Sequence, residues 1–447
     1  MKTITQIKFL LTGLVLLIVS LSTSAKENQK KPNIILIMAD DLGFETIGCY
    51  GNTSYKTPRI DKMAEEGVKF EHCYSQPLCT PSRVKIMTGK SNFRNYERWG
   101  YLNQNETTFA HILKSQGYST CIAGKWQLKG DEYAPYKAGF DEYLLWQLTF
   151  TSYNERYKNP RVLENGVMKK YNNSEYGPQL FTNFLMNFME RKKDGPFLVY
   201  YPMALTHRPF VPTPDSDNYD EFFIPGNGNA HSTKSEVKYF KDEVEYMDKI
   251  VGQIIDKTHQ LGIGENTLIL FVGDNGTNHG VFSQMGDKKV EGDKGATNDF
   301  GIHVPFVAYW DGKIQPGQVN NNLVDFSDFL PTFCDVAGVE LNETFITDGI
   351  SFLPQMLGEE YTAHEYLFCH FDPGKDKFEK KRFVHNVEWK LYESGEIYNK
   401  INDPMEKKSL AENDLNSEQK KLFATFREVF PKMVKEEVNA GVDEEKE

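Results

Sequence analysis

A chain of 447 residues can bury a large core, and 39% hydrophobic with 26% charged residues is ordinary for a soluble globular protein, best divided as one large domain and a smaller one. The 51 Lys and Arg against 63 Asp and Glu leave a formal net charge of −12, a field that repels polyanions and argues against nucleic-acid binding. An anionic substrate must be drawn by a local cluster of Lys, Arg and metal, because distant charge is screened beyond roughly 8–10 Å in physiological salt.

Lys2 and Lys8 flank the start of the apolar run Phe9–Leu21, and Thr23-Ser24-Ala25 offers small residues for cleavage. The run is short for a bilayer span, so residues 1–25 read as a signal peptide that directs secretion or periplasmic export, with no span in the mature chain. No cysteine sits at the cleavage point, which argues against a lipoprotein. The six cysteines (Cys49, Cys73, Cys79, Cys121, Cys334 and Cys369) are few for a disulfide scaffold and include no zinc-finger pair, though Cys49 and Cys73 could meet.

Asn33–Ala39 is a continuous apolar run, as expected of a strand buried on both faces of a parallel sheet, and it ends in Asp40-Asp41-Leu42-Gly43. Paired carboxylates there serve either a metal or simple loop solvation. Asp61–Gly67 reads as a helix end. In Pro77–Gly89 the spacing predicts a loop feeding a helix, with Thr80 as N-cap, Pro81 in the first turn, Ile86 and Met87 buried and Gly89 as the stop. Cys79 would then stand just outside a helix N-terminus, which favours an anion, with Arg83 one turn away. A buried cysteine before an ordinary helix is the alternative.

Thr107–Gln116 has helical spacing with Gly117 as cap, and His111 inside it is structural. Tyr118–Ala123 reads as a strand leading into Gly124-Lys125-Trp126-Gln127-Leu128. The tyrosine-rich stretch 131–177 either packs as loops or lines a sugar site. Gln179–Arg191 is helical, and the strand Phe197–Pro202 leads to His207 in Thr206-His207-Arg208-Pro209. The three- and four-residue steps of Phe240, Val244, Met247, Val251, Ile254 and Ile255 predict a long amphipathic helix over 235–262. The strand Thr267–Val272 runs into Gly273-Asp274-Asn275-Gly276, where glycines let the backbone turn oxygen ligands inward for a hard cation. Next come Gly292-Asp293-Lys294-Gly295-Ala296, then Gly301-Ile302-His303-Val304-Pro305 and a strand Phe306–Trp310. Beyond Leu357 shorter alternating segments (Arg382–His385, Lys390–Tyr392, Glu396–Tyr398) read as antiparallel strands, closed by a helix near Ser417–Phe430. The domain expectation is therefore 26–357, 358–435 and an acidic tail at 436–447.

The string P-L-C-T-P-S-R-V-K-I-M-T-G resembles the long signature of the type I (formylglycine-dependent) sulfatases, of the alkaline phosphatase superfamily. The second signature, G-Y-S-T-x-x-A-G-K-W, and the later D-N-G, G-x-K-G and W-K-L-Y elements extend the resemblance from about Pro32 to Glu412, with Asn322–Gly338 resembling the family's return helix. It implies an α/β fold with a large, mostly parallel mixed sheet flanked by helices, and a smaller C-terminal α+β subdomain with an antiparallel sheet. It implies a sulfuric ester hydrolase acting on a sulfated carbohydrate, with a maturation enzyme oxidising Cys79 to formylglycine, whose hydrate is the nucleophile. Residue by residue, Asp40, Asp41, Asp274, Asn275 and the oxidised Cys79 would hold a metal. Calcium is favoured, because three carboxylates and an amide suit its larger shell. Arg83, Lys125 and Lys294 would supply positive charge, Lys125 and Lys294 touching the sulfate, and His207 would protonate the leaving alcohol. Gln127 stands where the family has a histidine, and it keeps an amide donor without a titrating proton. His303 stands where arginine is usual, Gly273 where threonine or serine is usual, and His279 would line the pocket. Conversion of Cys79 leaves an odd number of cysteines, so at least one thiol stays free or pairs outside the chain. The competing expectations are a phosphonate or phosphodiester hydrolase of the same superfamily, and a non-catalytic binder of sulfated glycan.

Overall fold

Asn33-Ile-Ile-Leu-Ile-Met-Ala39 forms strand β1 with every residue buried. Its side chains alternate between two cores, with Ile34, Leu36 and Met38 on one face and Ile35, Ile37 and Ala39 on the other. The computed structural model describes residues 30–146, 148, 156–223 and 235–434, and it places β1 mid-way across a ten-stranded sheet. The expected signal peptide and acidic tail lie outside the described residues.

In chain order the other strands of this sheet are β2 (Val68–Tyr74), β3 (Ser119–Lys125), β4 (Glu142–Trp146), β5 (Arg161–Glu164), β6 (Val167–Lys170), β7 (Phe197–Pro202) and β8 (Thr267–Gly273). A separate hairpin, β9 (Phe282–Met285) and β10 (Lys288–Glu291), precedes β11 (His303–Tyr309) and β12 (Gln318–Asp325). The order across the large sheet is β12-β2-β11-β8-β1-β7-β3-β4-β5-β6. All its strands run one way except β11 and β5. The carboxyl ends of β1, β3, β7 and β8 therefore share one edge, where open α/β sheets collect their ligands. Helices cover both faces, among them Gly177–Lys192, Phe240–Gln260 and Phe329–Val336.

The second, smaller sheet is antiparallel throughout, built from β13 (Leu367–Phe371), β14 (Lys381–His385), β15 (Trp389–Tyr392) and β16 (Ile397–Asn399). One face packs Cys369, Phe371 and Phe383 against Tyr74, Leu78 and Ile302 of the main body. The other face packs Val384, Leu391 and Ile397 against Phe423, Phe426 and Phe430 of the closing helix Ser417–Val434.

Two expectations need correction, and two open alternatives are narrowed. The nucleophile-loop helix spans Cys79–Thr88, starts at Cys79 itself with Leu78 as N-cap, and buries all its residues; Thr80 lies inside it. Gly89 does end it, at φ 66°. Residues 322–325 belong to β12, pairing parallel with β2, and the helix there begins only at Phe329. The reason is Asp325, whose carboxylate accepts the Ser327 N–H and caps the turn Phe326–Asp328. Most of the described aromatics of 131–177 are structural: Tyr143, Trp146 and Tyr157 are buried, whereas Tyr133 is exposed and Tyr153 lies outside the described residues. All six cysteines are free, Cys49 and Cys73 included. Among the described residues no helix is long and apolar enough to cross a membrane.

Candidate active site

Asp40 and Asp41 follow β1, Asp274 and Asn275 follow β8, and all four are fully buried. Their loops are sewn together: the Asp41 N–H donates to Asp274 Oδ1 at 2.9 Å and the Asp274 N–H to the Ala39 carbonyl at 2.9 Å. Asp41 holds a left-handed φ of 62°, a conformation aspartate tolerates better than most residues. Gly273 is explained by space. A Cβ there would lie 2.1 Å from the Leu42 carbonyl oxygen, and one at Gly276 would lie 1.8 Å from that of Phe300.

Three cations meet these acids. Lys125, the last residue of β3, donates to both Asp40 oxygens at 2.9 and 2.7 Å, and its Nζ lies 3.6 Å from Cys79 Sγ. Arg83, one turn along from Cys79, donates to Asp274 Oδ2 at 3.2 Å and to the Lys125 carbonyl at 2.9 Å. Lys294 Nζ donates to Asp41 at 2.6 Å. Its loop is tied to the Asp274 turn by the Lys294 N–H, which donates to the Thr277 carbonyl at 2.9 Å.

Burial alone would push every carboxyl up. At Asp40 this is overcome by Lys125 first, then His207, Arg83 and Lys294, which hold it well below the usual range. Asp41 is likewise depressed, chiefly by Lys294 against burial. Asp274 goes the other way, up to about 8, because burial and the nearby Asp40 outweigh Arg83. Burial also raises the Cys79 thiol in spite of Lys125.

His207 sits after β7, on a loop bonded to the end of β1 through Asp40 N–H to Leu205 O (2.8 Å) and Thr206 N–H to Asp40 O (2.7 Å). Its Nδ1 lies 2.6 Å from the Arg208 carbonyl oxygen and its Nε2 3.8 Å from Asp41 Oδ2. Burial, then Lys125, pushes its pKa down to about 3, so the ring is neutral.

Ligand atoms of Asp40, Cys79 and Asp274 all lie within 4.8 Å of one another, as do those of Asp40, Asp41 and His207. Asn275 donates through Nδ2 to Asp41 Oδ1 and the Gly276 carbonyl, and its Oδ1 is buried with no hydrogen-bond partner. An orphaned amide oxygen beside three buried carboxylates is a donor set that fits a hard divalent cation.

Among the described residues no hydrogen bond or ion pair joins the side chains of the other expected residues to this cluster. Gln127 has a left-handed φ of 55° and buries its Oε1 without a partner; no side-chain hydrogen bond among the described residues links it to Cys79. The His279 side chain is 64% exposed, with Nδ1 3.3 Å from Asp293. His303 is a packing residue: it stacks on Phe44 (4.2 Å) and Tyr74 (5.0 Å), reaches the Glu71 carbonyl at 2.7 Å, and burial pushes it down to about 4.

Two residues not anticipated from the sequence join the site. Asn278 donates to Asp41 Oδ2, and its signal was a fourth polar residue in the Gly273–Asn278 turn, after Asp274, Asn275 and Thr277. Arg156 is fully buried against the faces of Trp146 and Tyr157 and donates to the His207 and Arg208 carbonyls, pinning the histidine loop. Nothing in the local sequence marks it.

The sulfatase family profile matches residues 32–339, and a profile described as N-sulphoglucosamine sulphohydrolase, C-terminal, matches residues 292–433. Arylsulfatase D of Homo sapiens is 28% identical over 466 residues, covering 83% of this chain and 74% of its own length. N-acetylgalactosamine-6-sulfatase of Mus musculus is 28% identical over 379 residues, covering 77% and 70%. The crystal structure of Ps i-CgsB superposes with a TM-score of 0.73 at 25% identity over 92% of this chain and 94% of that one. A mostly parallel sheet whose acidic strand ends face a helix-borne cysteine defines a hydrolase of the alkaline phosphatase superfamily. Within it the chain belongs to the type I sulfatase family and is a sulfatase enzyme.

Proposed function

We propose that the protein is an exported, calcium-dependent enzyme that removes sulfate from a sulfated carbohydrate, with residue 79 oxidised from cysteine to formylglycine by a maturation enzyme. The observation that carries this reading is the meeting of Cys79, Lys125, Asp40 and Asp274 in one buried cluster. The carbohydrate part is supported by the name of the N-acetylgalactosamine-6-sulfatase relative and by the description of the C-terminal profile.

Asp40, Asp41, Asp274 and Asn275 would hold the calcium, which as a Lewis acid supplies several kcal/mol (roughly) of charge neutralisation at the sulfate oxygens. Formylglycine supplies, once hydrated, a hydroxyl nucleophile where a thiol stands in the unmodified chain. The rest falls to the chain's own residues. With Asp274 ionised, as a bound divalent ion would make it, Asp40, Asp41 and Asp274 would balance Arg83, Lys125 and Lys294, and the charge of the ion would leave a net positive cavity for an anionic ester. Lys125 places its ammonium beside residue 79, where a sulfate oxygen arrives. Lys294 acts on the same group from the loop after β10. Arg83 fixes the end of β3 through the Lys125 carbonyl. With its Nδ1–H donated to the Arg208 carbonyl, the neutral His207 presents an unprotonated Nε2 to the cluster; that nitrogen would take up a proton as the anionic ester arrives and pass it to the departing sugar oxygen.

Sulfate release tests the reading. The mature enzyme with calcium should desulfate at least one member of a panel of defined sulfated oligosaccharides, and should hydrolyse an aryl sulfate faster than the phosphate ester of the same alcohol. A phosphate ester turned over faster would favour the phosphodiesterase alternative. Binding of the glycans without release would favour a non-catalytic binder.

A further inference from the structure

We infer that the cavity between the Lys294 loop and the C-terminal sheet is a subsite for an uncharged sugar ring next to the sulfated one, so that the enzyme prefers an oligosaccharide to a single sugar. This rests on the sulfated-carbohydrate reading and adds a position to it. The cavity has a volume of about 830 Å³, within the ~300–1,000 Å³ usual for ligand sites. One wall is Gly295–Asn298, the residues that directly follow Lys294. The Gly295 N–H donates to the Pro77 carbonyl at 3.0 Å, and a Cβ on Gly295 would lie 2.9 Å from the Phe378 ring and 3.7 Å from Leu78. Phe378 thus lies against Gly295, and the wall of the cavity begins at the residue after Lys294.

The facing wall is held rigidly. Lys390, fully buried, donates to the Thr297 carbonyl and to Glu406, while the Tyr392 hydroxyl bonds Glu406 and Thr297 Oγ1. Arg382 is occupied by Glu393 at 2.9 Å. The acidic and basic side chains around the cavity balance one for one, so it offers no surplus charge to a second anion. It does offer the half-buried rings of Phe378 and Tyr398, with Glu379, Glu396, Lys377 and Lys381 as acceptors and donors beside them. Flat apolar faces for C–H surfaces, ringed by hydroxyl-binding groups of both signs, suit a sugar ring.

The test uses the mature holoenzyme with 4-nitrocatechol sulfate as reporter substrate. Sulfated tetrasaccharides in which an uncharged ring neighbours the sulfated one (from κ-carrageenan, from carboxyl-reduced chondroitin 6-sulfate and from 2-O-desulfated, carboxyl-reduced heparin), and the matching sulfated monosaccharides, serve as competitors. At least one tetrasaccharide should compete about tenfold better than its monosaccharide, and Phe378→Ala or Tyr398→Ala should erase that advantage while leaving reporter KM and kcat within about twofold. Tyr398 lies against Tyr392, whose hydroxyl bonds Thr297, so it reaches the Lys294 loop only through that ring, and agreement of the two variants guards against a disturbance of the loop by Phe378→Ala. Lys377→Ala/Lys381→Ala should keep most of the advantage. No tetrasaccharide advantage in the wild type, equal loss of reporter and tetrasaccharide recognition in both ring variants, or an advantage lost only with the lysines overturns the subsite. Absence of reporter hydrolysis in the wild type overturns the sulfatase reading instead.

Discussion

Lys294 and Lys125 come from different loops and divide the acids between them, Lys125 on Asp40 and Lys294 on Asp41. Such a cation is useful only where charge builds on the reacting group. Lys294→Met should therefore lower kcat/KM for an aryl sulfate by about 10²–10³-fold, as removal of a preorganised charge partner does elsewhere. The same change at Lys289, exposed on the β9–β10 hairpin, should leave it unaltered. Steady-state kinetics on the two variants decides this, and equal effects would remove Lys294 from the machinery. At this scale the buried polar cluster was legible, because Asp40, Asp41, Asp274 and Asn275 all stand where an apolar run stops. Arg156 was not legible: its role comes from reaching the carbonyls of residues 207 and 208 across the fold, and no local pattern encodes a contact of that length. His303 was legible as a departure but not in its effect, which depends on Phe44 and Tyr74 closing around it.

The elements follow the same division between local and distant causes. β1, β7 and β8 were legible because both faces are buried and the runs are unbroken. β2 was not, since Val-Lys-Phe-Glu-His-Cys-Tyr is only half-buried at several positions and its apolar count is low. The family resemblance started a helix at 322, but residues 322–325 belong to the strand that pairs with β2, a contact between distant segments that no local pattern encodes. The small sheet docks partly through Lys400, which donates to Tyr74 Oη at 2.8 Å and the Asn386 carbonyl at 3.0 Å and faces Asp299 at 3.2 Å and His385 at 3.2 Å. Burial lowers this ammonium from 10.5 to about 8, against the pull of Asp299. Below about pH 8 the folded and unfolded chains both hold the proton; between there and 10.5 only the unfolded chain does, so this group makes stability rise with pH across that window. Lys400→Met should flatten the rise, a difference of up to about 3 kcal/mol. Urea midpoints for both proteins on either side of that window check it, and parallel pH profiles would contradict it.

Across the whole molecule the described residues from Pro32 onward form one compact unit, and ends of strands more than two hundred positions apart in sequence share a single buried site. A divalent ion there would bind the folded chain and not the unfolded one, so it should couple activity to stability. Treatment with a calcium chelator should abolish sulfate release and lower Tm together, and added calcium should restore both, with magnesium restoring less. Loss of activity at unchanged Tm would place the ion elsewhere. The central claim is that residue 79 is the reacting group of this acidic site. It is tested most directly by sulfate release from one aryl sulfate, measured side by side for the wild type and Cys79→Ala from a host that carries the maturation enzyme. The account predicts turnover in the wild type and none from a folded Cys79→Ala protein of similar Tm; comparable release from the two would contradict it.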